Sequence, residues 1–158
     1  MSRSGYSDDR DDYDYPLALY RGAVKRAVTG YRGQHLLRKL RDALDAMPVK
    51  RLITDAIKDS AGDVCALGAL DSTAPAYEPD WDDGDHAEKL AKHFGVATAL
   101  AAEIVYMNDE FLQWRSQDET PEERWTRMRA WVDSQIVESP PANDAVDPVE
   151  PEGRSSHE

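Results

Sequence analysis

Basic side chains and aromatic rings alternate along residues 20–41, and this combination can bind anionic partners. Tyr20, Tyr31 and His35 lie there among seven cations: Arg21, Lys25, Arg26, Arg32, Arg38, Lys39 and Arg41. Such cations neutralise phosphates and aromatic rings stack on bases, so the segment is a candidate nucleic-acid surface. The same cations can dock an acidic protein, or they can attract acidic segments of this chain, and the sequence leaves these alternatives open.

A second polar group follows an alanine-rich stretch and consists of Asn108, Asp109 and Glu110. Further along the chain lie three arginines, Arg124, Arg127 and Arg129. Amide, carboxylate and guanidinium groups that meet across a loop can hold a small polar ligand, which makes this a candidate ligand or enzymatic site. The same residues have a structural use, since Asn108 can cap a helix and Asp109 can accept backbone N–H groups. We expect the structural role and keep the ligand site as the alternative.

The sequence lacks the residue spacings of known catalytic and metal-binding motifs. Its one cysteine, Cys65, lies in an apolar run without an adjacent base, as expected for a buried structural thiol. His86 and His93 are two helical turns apart, about 10 Å, which is too far to share one ion without further ligands. Residues 90–100 have the spacing of a helix-turn-helix corner, but residues 97–109 carry no Lys or Arg for DNA contact. We predict no catalytic residue, no metal and no cofactor.

Acidic residues outnumber basic ones, 31 against 19, so the formal net charge is −12. Residues 17–58 hold ten Lys and Arg against three acidic residues, a balance of +7, whereas residues 59–85 hold eight acidic residues and no Lys or Arg. A net charge of −12 repels a nucleic-acid polyanion beyond local contact, which favours a protein partner. The acidic N-terminus and the absence of a long apolar run predict a cytoplasmic protein without a membrane span.

Hydrophobic spacing predicts a mainly α-helical domain of about five helices with at most a minor β element near residues 51–65. The helices run from behind Pro16 to near Gly30–Gly33 and over residues 34–47, 85–94, 97–107 and 121–136, with a strand at 51–57 and a short buried helix at 64–70. Gly95 ends one helix, and Thr120 with Glu123 forms a capping box at the start of the last. The predicted core collects Leu36, Leu40, Leu44, Cys65, Leu67, Leu90, Phe94, Leu100, Ile104, Trp125, Met128 and Val132.

Both ends of the chain are predicted to be disordered, because they hold too few apolar residues to offset the loss of chain entropy. Residues 1–15 form an acidic N-terminal tail, and residues 138–158 form a C-terminal tail rich in proline and acidic residues. A single helical domain covers residues 16–137, a length that can bury roughly two thirds of its surface.

Five short motifs follow one another between residues 32 and 136. They are RGQ at 32–34, VCALGA at 64–69, NDE at 108–110, TPEERW at 120–125 and RMRAWV at 127–132. In the order and spacing of these motifs the chain resembles a group of small uncharacterised proteins from bacteriophages and prophages. The resemblance implies a phage or prophage origin, and it brings no activity, cofactor or site residue with it.

The charge pattern and the resemblance together predict an accessory phage or prophage protein. We expect it to act in the host cytoplasm by binding a host or phage protein rather than by catalysis. Acidic tails and a separate basic segment favour encounters with charged partners. Nucleic-acid binding through residues 20–41 and a small-ligand or enzymatic site near Asn108–Glu110 are the alternatives.

Overall fold

Six helices account for the regular structure in the part of the chain that the computed structural model describes, which is Ser4 and residues 14–78, 85–111 and 118–138. In chain order they are α1 (Asp14–Thr29), α2 (Tyr31–Ala46), α3 (Ala66–Leu70), α4 (Asp85–Phe94), α5 (Thr98–Asp109) and α6 (Pro121–Gln135). The predicted mainly α-helical fold is therefore confirmed. None of these helices is long and apolar enough to cross a membrane.

The two predicted tails fall mostly outside the described residues. α1 begins at Asp14, so residues 14 and 15 of the predicted N-terminal tail are helical. Ser4 is described and buried, and Glu138 is the last described residue of the chain. The predictions for residues 1–3, 5–13 and 139–158 concern residues that the structure does not describe.

A single residue, Gly30, joins α1 to α2, and its extended conformation (φ −68°, ψ 161°) breaks the helix. The two helices then approach closely at Gly33, where an added Cβ would lie only 1.8 Å from the carbonyl oxygen of Ala27. Only glycine fits at position 33. Because the break is at Gly30, α2 begins at Tyr31 instead of the predicted Gln34. A glycine predicted to end a helix thus serves as the contact point between two helices.

α2 and α5 are the central helices of the fold. α2 packs against α1, α3 and α6, and α5 packs against α1, α3, α4 and α6. Leu40 of α2 and Ile104 of α5 are fully buried in the resulting core. Every residue predicted for the core is buried except Phe94 and Trp125, which are partly buried and pack against its edge. The apolar stripes of the helices thus predict these core residues. Leu52 and Ile57 of the connector between α2 and α3 are also buried in the core and were not predicted.

The connector between α2 and α3 contains one isolated antiparallel bridge, Lys58 to Val64, where a strand was predicted at residues 51–57. The strand prediction is wrong, because Asp55 adopts a left-handed conformation (φ 64°) that interrupts an extended ladder. The Ile53 N–H donates to the Val64 carbonyl at 3.0 Å and so folds the connector back on itself. The β element among the described residues is therefore minor, as predicted for residues 51–65.

The ends of α4 and α6 follow the predicted capping signals. Gly95 has a φ of +69° and closes α4 in the left-handed conformation that glycine tolerates. At the start of α6 the Thr120 hydroxyl accepts a hydrogen bond from the Glu123 N–H at 3.1 Å. The Glu123 carboxylate in turn accepts one from the Thr120 N–H at 2.8 Å, which completes the capping box.

Candidate functional site

The seven cations predicted to bind a partner fall into two sets in the structure. Three of them make polar contacts that hold the fold together: Arg21, Arg38 and Arg41. The other four lie exposed on α1 and α2 and make no ion pair or side-chain hydrogen bond with a described residue: Lys25, Arg26, Arg32 and Lys39. We refer to these four as the unpaired cations. Their charges are compensated by no carboxylate among the described residues, and their side chains are exposed to a partner.

Two of the engaged arginines link neighbouring helices. Arg21 Nη1 of α1 lies 3.4 Å from Glu103 Oε1 of α5. Arg41 Nη1 of α2 lies 3.3 Å from Asp133 Oδ1 of α6. The Glu103 side chain is only 8% exposed, so the Arg21 charge compensates a carboxylate at the edge of the core.

Two of the unpaired cations border a groove of about 350 Å³ between α2 and α4. On the α2 side the groove is lined by Tyr31, Arg32, His35, Lys39 and the buried Leu36. The Tyr31 and His35 rings are nearly parallel, with an interplanar angle of 8° and centroids 6.2 Å apart. Tyr31 is 55% exposed, so aromatic surface faces solvent beside the cations. This arrangement suits an anionic ligand that also carries an apolar or aromatic group.

The opposite side of the groove is formed by the residues after α3 and the end of α4. Asp71 accepts hydrogen bonds from the Thr73 hydroxyl at 2.6 Å and the Thr73 N–H at 2.8 Å, and its other oxygen lies 2.8 Å from His93 Nε2. These bonds, those of Thr73 first, lower the pKa of Asp71 to about 2. The His93 ring also meets the Phe94 ring edge-on, with centroids 4.9 Å apart. The carboxylate of the groove is therefore engaged by its neighbours, whereas the cations across from it are not.

Asn108 does not cap α5 as predicted but lies inside its last turn, where it is buried. Its Oδ1 accepts the Ala66 N–H at 3.1 Å, and its Nδ2 donates to the Ile53 carbonyl at 2.9 Å. The same Nδ2 donates to Asp109 Oδ1 at 2.7 Å, and Asp109 Oδ2 accepts the Asp55 N–H at 3.4 Å. The cap prediction is wrong because the connector between α2 and α3 runs past this turn of α5. Backbone groups of the connector that have no other partner form hydrogen bonds with the Asn108 amide.

Glu110, the third residue of the predicted ligand site, is also buried. The Ser4 hydroxyl donates to Glu110 Oε2 at 2.8 Å. The arginines expected to meet this site pair with other carboxylates, Arg124 and Arg127 with Glu119, and Arg129 with Asp45. All three candidate ligand residues thus make contacts within the fold that a ligand would have to replace.

Gln34 is a buried polar residue whose structural role the sequence analysis missed. Its Nε2 donates to the carbonyls of Val28 at 2.8 Å and Gln135 at 2.9 Å, and its Oε1 accepts the Val137 N–H at 2.8 Å. Arg38 donates to the Val137 carbonyl beside it. The hydrogen bonds of Gln34 and Arg38 thus link the end of α6 to α2. A polar residue on the leucine-bearing face of α2 is the signal that predicts such a role.

Comparisons of the chain with protein-family models, with curated proteins and with solved structures found no significant match. The resemblance to phage and prophage proteins therefore stays a prediction. Among the described residues, no group of three or more His, Cys, Asp or Glu is placed to hold a metal ion. The contacts and charges of the site itself carry the functional argument.

Proposed function

We propose that the chain is an accessory phage or prophage protein that binds a host or phage protein in the host cytoplasm. Binding occurs through the exposed basic surface of α1 and α2. The observation that carries this proposal is the difference in pairing between the unpaired cations and the arginines of α6. The unpaired cations have no carboxylate among the described residues, whereas the arginines of α6 are each paired. Charge that the fold does not use is available for recognition.

Electrostatics favour an acidic segment as the partner's contact region. An exposed unpaired cation attracts a carboxylate at full charge, whereas a paired one offers a neutral pair. The chain as a whole carries −12, so an acidic partner is repelled by most of the molecule and attracted by this surface. Such complementarity directs orientation and speeds association more than it adds affinity. The charge pattern thus selects one face of the protein for contact.

Single-stranded nucleic acid is the second candidate partner, and the Tyr31 and His35 rings are the observation that favours it. Exposed rings beside cations can stack bases while the cations contact phosphates. A long polyanion, however, meets the net charge of −12 over a larger area than a short acidic segment does. A protein partner therefore agrees better with the charge distribution.

Affinity purification with a matched pair of variants tests the proposal. The immobilised full-length chain is exposed to bacterial lysate, in parallel with Lys39→Glu and Lys58→Glu. Both lysines are exposed and make no side-chain hydrogen bond or ion pair with a described residue, and both variants change the charge equally. Only Lys39 borders the groove. We expect a protein that the unmodified chain and Lys58→Glu retain and that Lys39→Glu loses.

The same purification includes a nuclease-treated lysate. Retention that disappears with nuclease would replace the protein partner by nucleic acid. Proteins retained equally by all three chains, or lost equally with both substitutions, would contradict binding through this surface. A retained protein is then purified, and its affinity for the three chains is measured directly by titration.

A further inference from the structure

We infer that the groove between α2 and α4 binds an extended acidic segment that places an aromatic side chain between two carboxylates. The inference rests on the proposed function, since it names the class of segment that the same surface recognises. Three features support the inference. They are the spacing of Arg32 and Lys39 at the border of the groove, the aromatic rings that line it, and the bonding of its carboxylate, Asp71, to neighbouring residues.

The spacing of Arg32 and Lys39 sets the spacing of the carboxylates. Seven residues along one helix separate them, which corresponds to about 10 Å. In an extended polyproline-II segment, residues three positions apart point to the same side and lie about 9 Å apart. Carboxylates at positions i and i+3 of such a segment can therefore contact both cations at once.

Apolar and aromatic surface lines the groove beside these two charges. Leu36 and Leu70 line the groove together with the Tyr31 and His35 rings, and Phe94 lies on the opposite side. An aromatic side chain placed there gains both apolar burial and ring contacts, and it orders few rotatable bonds. An acidic segment without such a side chain would leave this surface exposed to water.

The groove's own carboxylate, Asp71, forms no ion pair with either of these cations. Asp71 is held by Thr73 and by His93, and its side chain is 37% exposed. Gly95 lines the groove beside this pair, and a Cβ added there would meet no atom within 4 Å. The α4 end of the groove is therefore open, and incoming carboxylates find the cations on the α2 side.

A capped synthetic hexapeptide tests the inference. It carries glutamate at its second and fifth positions, phenylalanine at its third, and proline elsewhere to favour the polyproline-II conformation. Titrated into the isotopically labelled full-length chain, it is expected to shift the amide signals of residues 31–39 and 93–95. Replacing its phenylalanine by alanine, or both glutamates by glutamine, should weaken binding at least about fivefold. Lys39→Glu should weaken it similarly, and Lys58→Glu should leave it unchanged.

Besides failure of the hexapeptide to bind, any of the following results would overturn the inference. One is a set of shifted signals that lies away from the groove, or affinity that does not depend on Lys39. Another is equal binding of the alanine peptide, which would remove the aromatic requirement. A third is tighter binding of a thymidine hexanucleotide at the same residues, which would assign the groove to single-stranded nucleic acid. Normal amide spectra of each variant show that it is folded.

The outcome is separable from that of the proposed function. If a lysate protein depends on Lys39 but the hexapeptide does not bind, only the present inference fails. If the hexapeptide binds at the groove but no lysate protein depends on Lys39, the proposed function fails and the chemistry of the groove stands.

Discussion

The groove beside α2 and the Asn108–Glu110 segment differ in how the fold uses their polar groups. Both are polar sets that the sequence marks as candidate sites. Arg32 and Lys39 stay exposed without a described partner, whereas Asn108 is buried and bonded to three residues. Polar residue type alone therefore does not distinguish a binding surface from a structural link. What distinguishes them is the environment of the helix that carries the residues.

The helices that bear the two sets explain this difference. α5 is buried against four other helices, so a polar side chain on it must find hydrogen bonds inside the protein. α2 buries one face and leaves another in solvent, where Lys and Arg need no partner.

The largest effect is expected from Asn108→Ala. The substitution removes the acceptor of the Ala66 N–H and the donor to the Ile53 carbonyl, and it leaves both backbone groups without these bonds. We expect a loss of about 2–4 kcal/mol in the free energy of unfolding, measured by chemical denaturation. Lys39→Ala is the control and should change that free energy by less than about 0.5 kcal/mol. Similar losses at both positions would erase the distinction between the two regions.

A smaller loss in the free energy of unfolding is expected from Arg127→Ala. This variant compares the paired arginines of α6 with the unpaired cations. Arg127 contacts Glu119 through Nε at 2.6 Å and Nη2 at 3.0 Å, and the Glu119 side chain is only 9% exposed. Removing one of its two arginines should cost about 2 kcal/mol, because Arg124 still compensates part of the charge. Arg32→Ala in parallel should be nearly neutral. If Arg127→Ala left the free energy of unfolding unchanged, pairing would not distinguish the arginines of α6 from the unpaired cations.

Salt is expected to act on binding at the groove and only slightly on the fold. Raising the salt concentration from about 50 mM to about 500 mM shortens the screening length to a few ångströms. A partner held by Arg32 and Lys39 should then bind severalfold more weakly, while the thermal midpoint of the chain changes little. The check is the affinity of the purified partner and the circular dichroism melt at both concentrations. Salt-independent affinity would indicate apolar docking instead.

The smallest effect concerns Asp71, on the wall of the groove. Hydrogen bonds from Thr73 and from His93 lower its pKa from 3.8 to about 2. Because the folded pKa is below the unfolded one, its stabilising contribution is present above pH 3.8 and is lost as the pH falls towards 2. The difference in denaturation midpoint between the unmodified chain and Asp71→Asn should therefore shrink over that range.

Thr73→Val provides the control for this prediction. The variant lacks the hydroxyl that donates to Asp71, so the pKa of Asp71, followed by NMR titration, should rise towards its ordinary value. An ordinary pKa for Asp71 in the unmodified chain would contradict the prediction.

Local sequence signals were enough to predict most of the helices and the core. The capping box at Thr120, the left-handed Gly95 and the leucine stripe of α2 depend on residues within one or two turns of each other. Such short-range preferences operate whatever the rest of the chain does. The mainly α-helical class and the basic character of residues 20–41 follow from the same local information.

The tertiary structure alone decided which polar residues are free. Asn108 bonds to residues 42 and 55 positions away in the chain, and Gln34 bonds to residues 101 and 103 positions away. Gly33 is required by the crossing of two helices rather than by a turn. Whether a cation meets a carboxylate depends on which helices pack together, and hydrophobic periodicity within one helix does not specify its neighbours. For this reason the sequence marked seven cations, and only the packed fold separated the unpaired four from the other three.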